Sequence, residues 1–286
     1  MVSSGRTSRV RRPDECTAGS LESAAYPRGA AVIDPLSAAL IIAVGIVAGT
    51  VNTIVGAGSL LTFPTLLFLG YPPLVANVSN TVGLVPGTIS GAIGYRRELA
   101  GQGTRARPLL IAAGLGGLTG ACLLLILPAA AFTRIVPVLI LIACLLVAIQ
   151  PRLSAWVLER RARSGVAHVG GGWMLVVGVY LTGIYGGYFG AAQGVILIAL
   201  LAILVEDDLQ RLNGLKNLIT VVINGVSAIL FIFLAPVAWP AAILLAIGSI
   251  AGGQLGAIVG RRLSPFALRA AIITVGTLVA LRLLLG

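Results

Sequence analysis

The side chains able to do chemistry inside the apolar stretches of this chain are neutral or positive. They are Asn52, Thr53, Ser59, Thr62, Ser79, Asn80, Thr81, Gln193, Lys216, Asn217 and Asn224. No Asp or Glu lies within a hydrophobic segment; all nine sit in the N-terminal tail, the loops or the corner at 206–208. A carboxylate-based proton relay or a metal-cation site keeps an acid at mid-membrane, so both are disfavoured. Paired carboxylates for hydrolysis and a Ser/His/Asp constellation are missing too, and the chain reads as a non-enzyme. Three cysteines (Cys16, Cys122, Cys144) and one histidine, His168, show no metal-ligand spacing. No cofactor or metal is expected.

That polar inventory suits an anion. Asn52, Ser59, Ser79, Asn80, Gln193 and Asn217 offer hydrogen bonds without a negative charge, and Lys216, the one lysine of the chain, offers a positive one. Gly56, Gly58 and Gly190 interrupt apolar runs where the backbone would approach a solute without a Cβ in the way. Helix N-termini formed at such breaks present N–H groups and partial positive charge to an oxyanion. Each feature has a plainer reading. Glycines in membrane helices serve close packing, and Lys216 can snorkel from near the cytoplasmic end of its span.

Composition supplies the elements that position these residues. The 286 residues are 58% hydrophobic and 10% charged, with mean hydropathy +1.03, where a soluble domain carries about 25% charged residues. Apolar runs long enough to cross a core of about 30 Å recur from Leu36 to Leu285. They do not alternate as barrel strands do. The fold class is therefore all-α, a polytopic helical membrane protein. The net charge of +11 sits mostly in short loops, where a positive-inside bias places arginine, and nucleic-acid binding is a poor account of it.

Residues 1–33 form a polar tail expected to be disordered, with no secretory h-region; the membrane pattern begins cleanly near Asp34, which leaves open a true start downstream of Met1. Residues 34–150 form a first transmembrane repeat, 151–169 a basic cytoplasmic linker, and 170–286 a second repeat. Each half holds a Gly-broken pair of short segments: Leu36 to Val55 with Ser59 to Leu69, and Trp173 to Tyr188 with Gly194 to Val205. Gly49 and Gly56 match Gly183 and Gly190, 134 residues on, and Ser79-Asn80 matches Lys216-Asn217, 137 residues on. Five segments per half, an odd number, predict inverted repeats. Basic loops at 96–107, 151–168 and 261–262 are expected in the cytoplasm, although counting back from them puts the basic tail outside. Trp173 and Trp239 read as headgroup-level anchors.

The stretch GIVAGTVNTIVGAGSLLTFPTLLFLGYPPLVANVSNTVGLVPGTISGAIGY resembles the TauE/SafE family of sulfite-exporter-like permeases. So does a weaker second copy around GIYGGYFGAAQGVILIALLAILVEDDLQRLNGLKN. The resemblance covers about Asp34 to Leu285 and implies a carrier of the bacterial cytoplasmic (inner) membrane for sulfite, sulfonates or related organic anions. The residues expected to bind substrate are Asn52, Gly56, Gly58, Ser59, Ser79, Asn80, Gly190, Gln193, Lys216 and Asn217. The expected partners are a small anion and the lipid bilayer. An anion channel with the same pore and a non-transporting membrane subunit are the alternative functions.

Overall fold

A computed structural model of the chain describes residues 33–164 and 172–259, together with 273, 274, 277, 280 and 281. The N-terminal tail, His168, Arg261 and Arg262 lie outside the described residues. Among the described residues every regular element is a helix: α1 (Pro35–Ile54), α2 (Ser59–Phe68), α3 (Pro73–Gly94), α4 (Gly103–Ile126), α5 (Ala129–Ser164), α6 (Gly172–Tyr188), α7 (Gln193–Leu204), α8 (Leu209–Leu234) and α9 (Trp239–Val259). Five of them, α1, α4, the Ala129–Arg152 part of α5, α8 and α9, are long and apolar enough to span a membrane. The short apolar helices α2 and α7 fall where the glycine breaks place them.

Local signals set the ends. Asp34 caps α1 by accepting from the Ser37 N–H (2.8 Å) and hydroxyl (2.7 Å), with Pro35 at the first helical position. Those bonds, the hydroxyl's foremost, hold the Asp34 carboxyl below its ordinary pKa. Asp208 caps α8 through the Gln210 N–H (2.9 Å). Pro72 and Pro73 start α3. The basic stretch after Pro151 is largely helix rather than loop, because α5 runs on to Ser164. At 1.5 Å per residue its 36 residues extend about 54 Å, well beyond a bilayer core.

The helices group into two bundles in which each half lends its fourth helix to the other. α9 packs on α1 and α3, and α4 packs on α6 and α8; the bundles meet chiefly along α3 and α8. Small residues allow this. Gly116 and Gly120 of α4 lie against the Tyr180 and Ile184 carbonyls of α6, and Gly252 and Gly256 of α9 lie against the Ile46 and Thr50 carbonyls of α1. Gly117 meets the Ile223 carbonyl of α8 as Gly253 meets that of Gly87 in α3. In lipid such close backbone approach, rather than the hydrophobic effect, carries helix association. A Cβ on Gly120 would overlap the Ile184 carbonyl, which is backbone and cannot swing aside. Gly120→Ala is expected to cost about 2–3 kcal/mol, read as a lowered midpoint in a denaturing-detergent titration.

These contacts recur 134 residues apart on α1 and α6 and 136 apart on α3, α4, α8 and α9. The register therefore pairs Asn77 with Asn213 and Asn80 with Lys216. It corrects by one residue the alignment of Ser79-Asn80 with Lys216-Asn217. α3 and α8 run antiparallel: Tyr95, just past the end of α3, meets Asn213 near the start of α8, and Ser79 near the start of α3 meets Ala238 beyond the end of α8.

Candidate functional site

The two broken pairs touch at their tips. The Gly194 N–H at the start of α7 donates to the Gly56 carbonyl (3.1 Å), and each glycine lies so close that a Cβ on either would overlap the other's Cα. Gly56 (φ +83°), Gly190 (φ +75°) and Ala192 (φ +58°) take left-handed backbone at the breaks. Glycine adopts it freely, whereas an L side chain is strained there.

A break exposes carbonyls on one side and N–H groups on the other. The carbonyls closing α1 are met from the other bundle. Lys216 Nζ donates to Thr53 (3.0 Å) and Asn52 (3.4 Å), and the amides of Asn217 (3.3 Å) and Asn213 (3.5 Å) also donate to Thr53. At the end of α6 Asn77 takes the corresponding role among the described residues, donating to the Tyr188 carbonyl (3.1 Å). Asn213 also donates to the Tyr95 hydroxyl (3.0 Å). Lys216 is 1% exposed, so it does not snorkel. Its ammonium turns inward onto the negative end of the α1 dipole, and its recorded partners are backbone carbonyls. Burying such a charge is costly unless it is hydrogen-bonded and countered.

The N–H side differs from the expectation for helix N-termini. The first turns of α2 and α7 close on their own loops, with Leu60 and Leu61 donating to Ala57 and Gly58, and Gln193 and Val195 to Gly190 and Ala192. The donors left without an acceptor among the described residues lie one step earlier, in the breaks: the N–H groups of Ala57, Gly58 and Ser59, and of Ala191 and Ala192. All but Ser59 belong to buried residues. Successive N–H groups in such turns make anion-attracting concavities.

The remaining expected residues divide. Gln193 donates to Asn224 (2.8 Å), joining α7 to α8. Asn224 and Thr220 extend the Lys216 face of α8 by successive turns, and the buried Thr220 hydroxyl has no hydrogen-bond partner among the described residues. Spacing along α8 marks these two once Lys216 is known to face inward; Asn213 and Asn77 were missed because their partners are carbonyls of distant helices. Asn80 accepts from the Thr62 hydroxyl and ties α3 to α2. Ser79 is committed elsewhere, accepting from the Ala238 N–H (2.8 Å) ahead of α9. Gly58 is needed for packing, because a Cβ there would overlap the Ala48 carbonyl. Asn52 brings both its carbonyl, under Lys216, and a side chain packed beside Gly58. Among the described residues no group of three or more His, Cys, Asp or Glu could hold a metal.

Among the described residues, an all-helical body with five helices long and apolar enough to span is that of a multi-pass membrane protein. The chain matches the family model "Sulfite exporter TauE/SafE" over residues 41–283, and it belongs to that family. A Haemophilus influenzae protein named "Probable membrane transporter protein" is 29% identical over 77% of this chain and 83% of its own length. The Escherichia coli "Probable membrane transporter protein YfcA" is 25% identical over 79% of this chain and 81% of its own length. "Probable membrane transporter protein ORF9" of a Sinorhizobium species is 23% identical over 83% of this chain and 88% of its own length. No solved structure matches the chain.

Proposed function

We propose that this transporter is a secondary carrier for a small oxyanion, namely sulfite, a sulfonate or a related sulfur-containing or organic anion, in a bacterial cytoplasmic membrane. The observation that carries the reading is the buried Lys216 ammonium, held on carbonyls at one break, with N–H donors of both breaks that lack an acceptor among the described residues close in sequence to the touching glycines. Positive charge and oriented donors in a region without acidic side chains attract an anion and repel a cation. Asn52, Gly56, Ser59, Gly190, Gln193, Lys216 and Asn217 form the binding region, Gly58 and Asn80 shape its walls, and Ser79, committed to the Ala238 N–H, lies outside it. The antiparallel α3 and α8 and the recurring glycine contacts support a pair of inverted repeats. Two bundles joined along one seam are suited to rocking against each other, the motion alternating access requires. No catalytic role is assigned to any residue.

The test is counterflow in proteoliposomes carrying the full chain. Labelled sulfite and a short alkylsulfonate are expected to exchange faster when the same anion is present on the far side, with no exchange of an organic cation of equal size. Rapid anion flux without trans-stimulation would make the protein a channel. Equal rates for the cation would remove the anion assignment.

A further inference from the structure

Away from the touching glycines, the starts of α4 and α6 and the turn before α8 enclose a cavity of about 550 Å³. Its charged lining is two arginines against one aspartate: Asp207 accepts from Arg105 (2.9 Å) and Arg211 (2.7 Å). Burial works against ionisation of Asp207, but the Asp208 N–H and the two guanidinium groups outweigh it and hold the carboxyl below its usual pKa. The group is charged at neutral pH, and the cavity keeps one net positive charge. Both arginine side chains stay about one-third exposed, within reach of a visitor.

Three further observations describe that visitor. The N–H groups of Gly103, Thr104 and Arg105 open α4 without an acceptor among the described residues, a setting that favours phosphate oxygens. Gln102, 3% exposed, donates to the carbonyls of Glu98 (2.8 Å) and Arg211 (3.1 Å), while its buried Oε1 has no partner among the described residues. It awaits a donor. The floor is apolar, with Leu109, Leu175 and Val176. Trp173, 75% exposed and next to Gly172 in the cavity wall, sets the depth, since exposed tryptophans sit at headgroup level.

We propose that this cavity binds the headgroup of an anionic phospholipid. The phosphodiester lies on Arg105, Arg211 and the α4 N–H groups, a headgroup hydroxyl donates to Gln102 Oε1, and the acyl chains start along Leu175 and Val176. One net positive charge matches one diester anion, the apolar floor suits a lipid better than a free ion, and the hydroxyl requirement selects a glycerol head over choline. Basic pockets between helices at the membrane surface recognise such lipids.

The test uses delipidated full-length protein in neutral detergent, titrated with phosphatidylglycerol, phosphatidylcholine, glycerol 3-phosphate and inorganic phosphate. Bound lipid is counted by native mass spectrometry and stability is followed by melting temperature. Phosphatidylglycerol is expected to bind at least tenfold tighter than phosphatidylcholine and to raise the melting temperature. Arg211→Ala and Thr104→Pro are expected to remove most of that preference, and Arg105→Lys part of it. Lipid-free melting curves of the variants separate lost binding from lost folding. Equal binding of the two lipids, or unchanged preference in a folded Arg211→Ala protein, would overturn the site. Saturation by either water-soluble phosphate at the same concentration would overturn the lipid as its occupant.

Discussion

Gly56→Ala is expected to destabilise the protein by about 3 kcal/mol or more and to abolish anion exchange. Two independent costs add. The backbone at Gly56 has φ +83°, and placing an L residue in left-handed conformation costs roughly 1–2 kcal/mol. The new Cβ would also run into Gly194 Cα, with Gly194 C at 2.8 Å; overpacking of that kind costs about 1–3 kcal/mol. Two controls divide the sum. Gly70 has φ +87° with nothing within 4 Å of an added Cβ, so Gly70→Ala carries the strain alone. Gly194→Ala puts its Cβ against Gly56 Cα at a glycine without positive φ, and carries the contact alone. Unfolding midpoints in detergent should rank Gly56→Ala worst, with exchange lost in Gly194→Ala and retained in Gly70→Ala. If Gly194→Ala exchanges anions at the wild-type rate, the meeting of the two tips has no part in transport.

The membrane class and the two broken pairs were legible because they are written in composition and local pattern. A charge-poor chain of long apolar runs has few soluble alternatives; α2 starts and stops, and α7 starts, close to where glycine and proline punctuate the sequence, while α7 stops just before the acidic corner at 206–208. Partner choice is not local and could not be read. Gly116 and Gly120 say that α4 packs closely against something, but the same spacing would serve against a helix of either half. That α6 is the partner, and that α9 repeats the arrangement on α1, emerges only from the assembled bundle. The slip in aligning Ser79-Asn80 with Lys216-Asn217 has a related cause: polar identity was matched where the contacts follow backbone position. Ser79 shows the consequence, since its hydroxyl serves the Ala238 N–H at the far end of α8 from Lys216. The end of α5 was misread for a further reason. Arginine-rich sequence after Pro151 ends the apolar run, but a helix that has left the bilayer can continue in water.

Replacing Lys216 by methionine is expected to lower anion exchange about 10- to 100-fold while leaving a folded protein. Methionine keeps the length and apolar stem of lysine and removes the charge. The Thr53 carbonyl would still receive Asn217 and Asn213, so the end of α1 is not stripped of donors, and Asn52 loses only a long contact of 3.4 Å. A bound oxyanion would lose its positive partner. Hydrogen bonds to charged groups contribute about 1.5–3 kcal/mol, and 1.4 kcal/mol is a factor of ten, which sets the expected range. Lys216→Arg keeps the charge with a wider, planar head and should retain part of the rate. The pair of variants separates two roles that the geometry superimposes, a cap on the broken helix and a counter-charge for the solute. A cap alone predicts a lowered melting temperature in Lys216→Met with the exchange rate per folded molecule unchanged, and that outcome would sink the counter-charge role. A counter-charge predicts the reverse: a small change in melting temperature, with the half-saturating anion concentration on exchange rising by the same 10- to 100-fold.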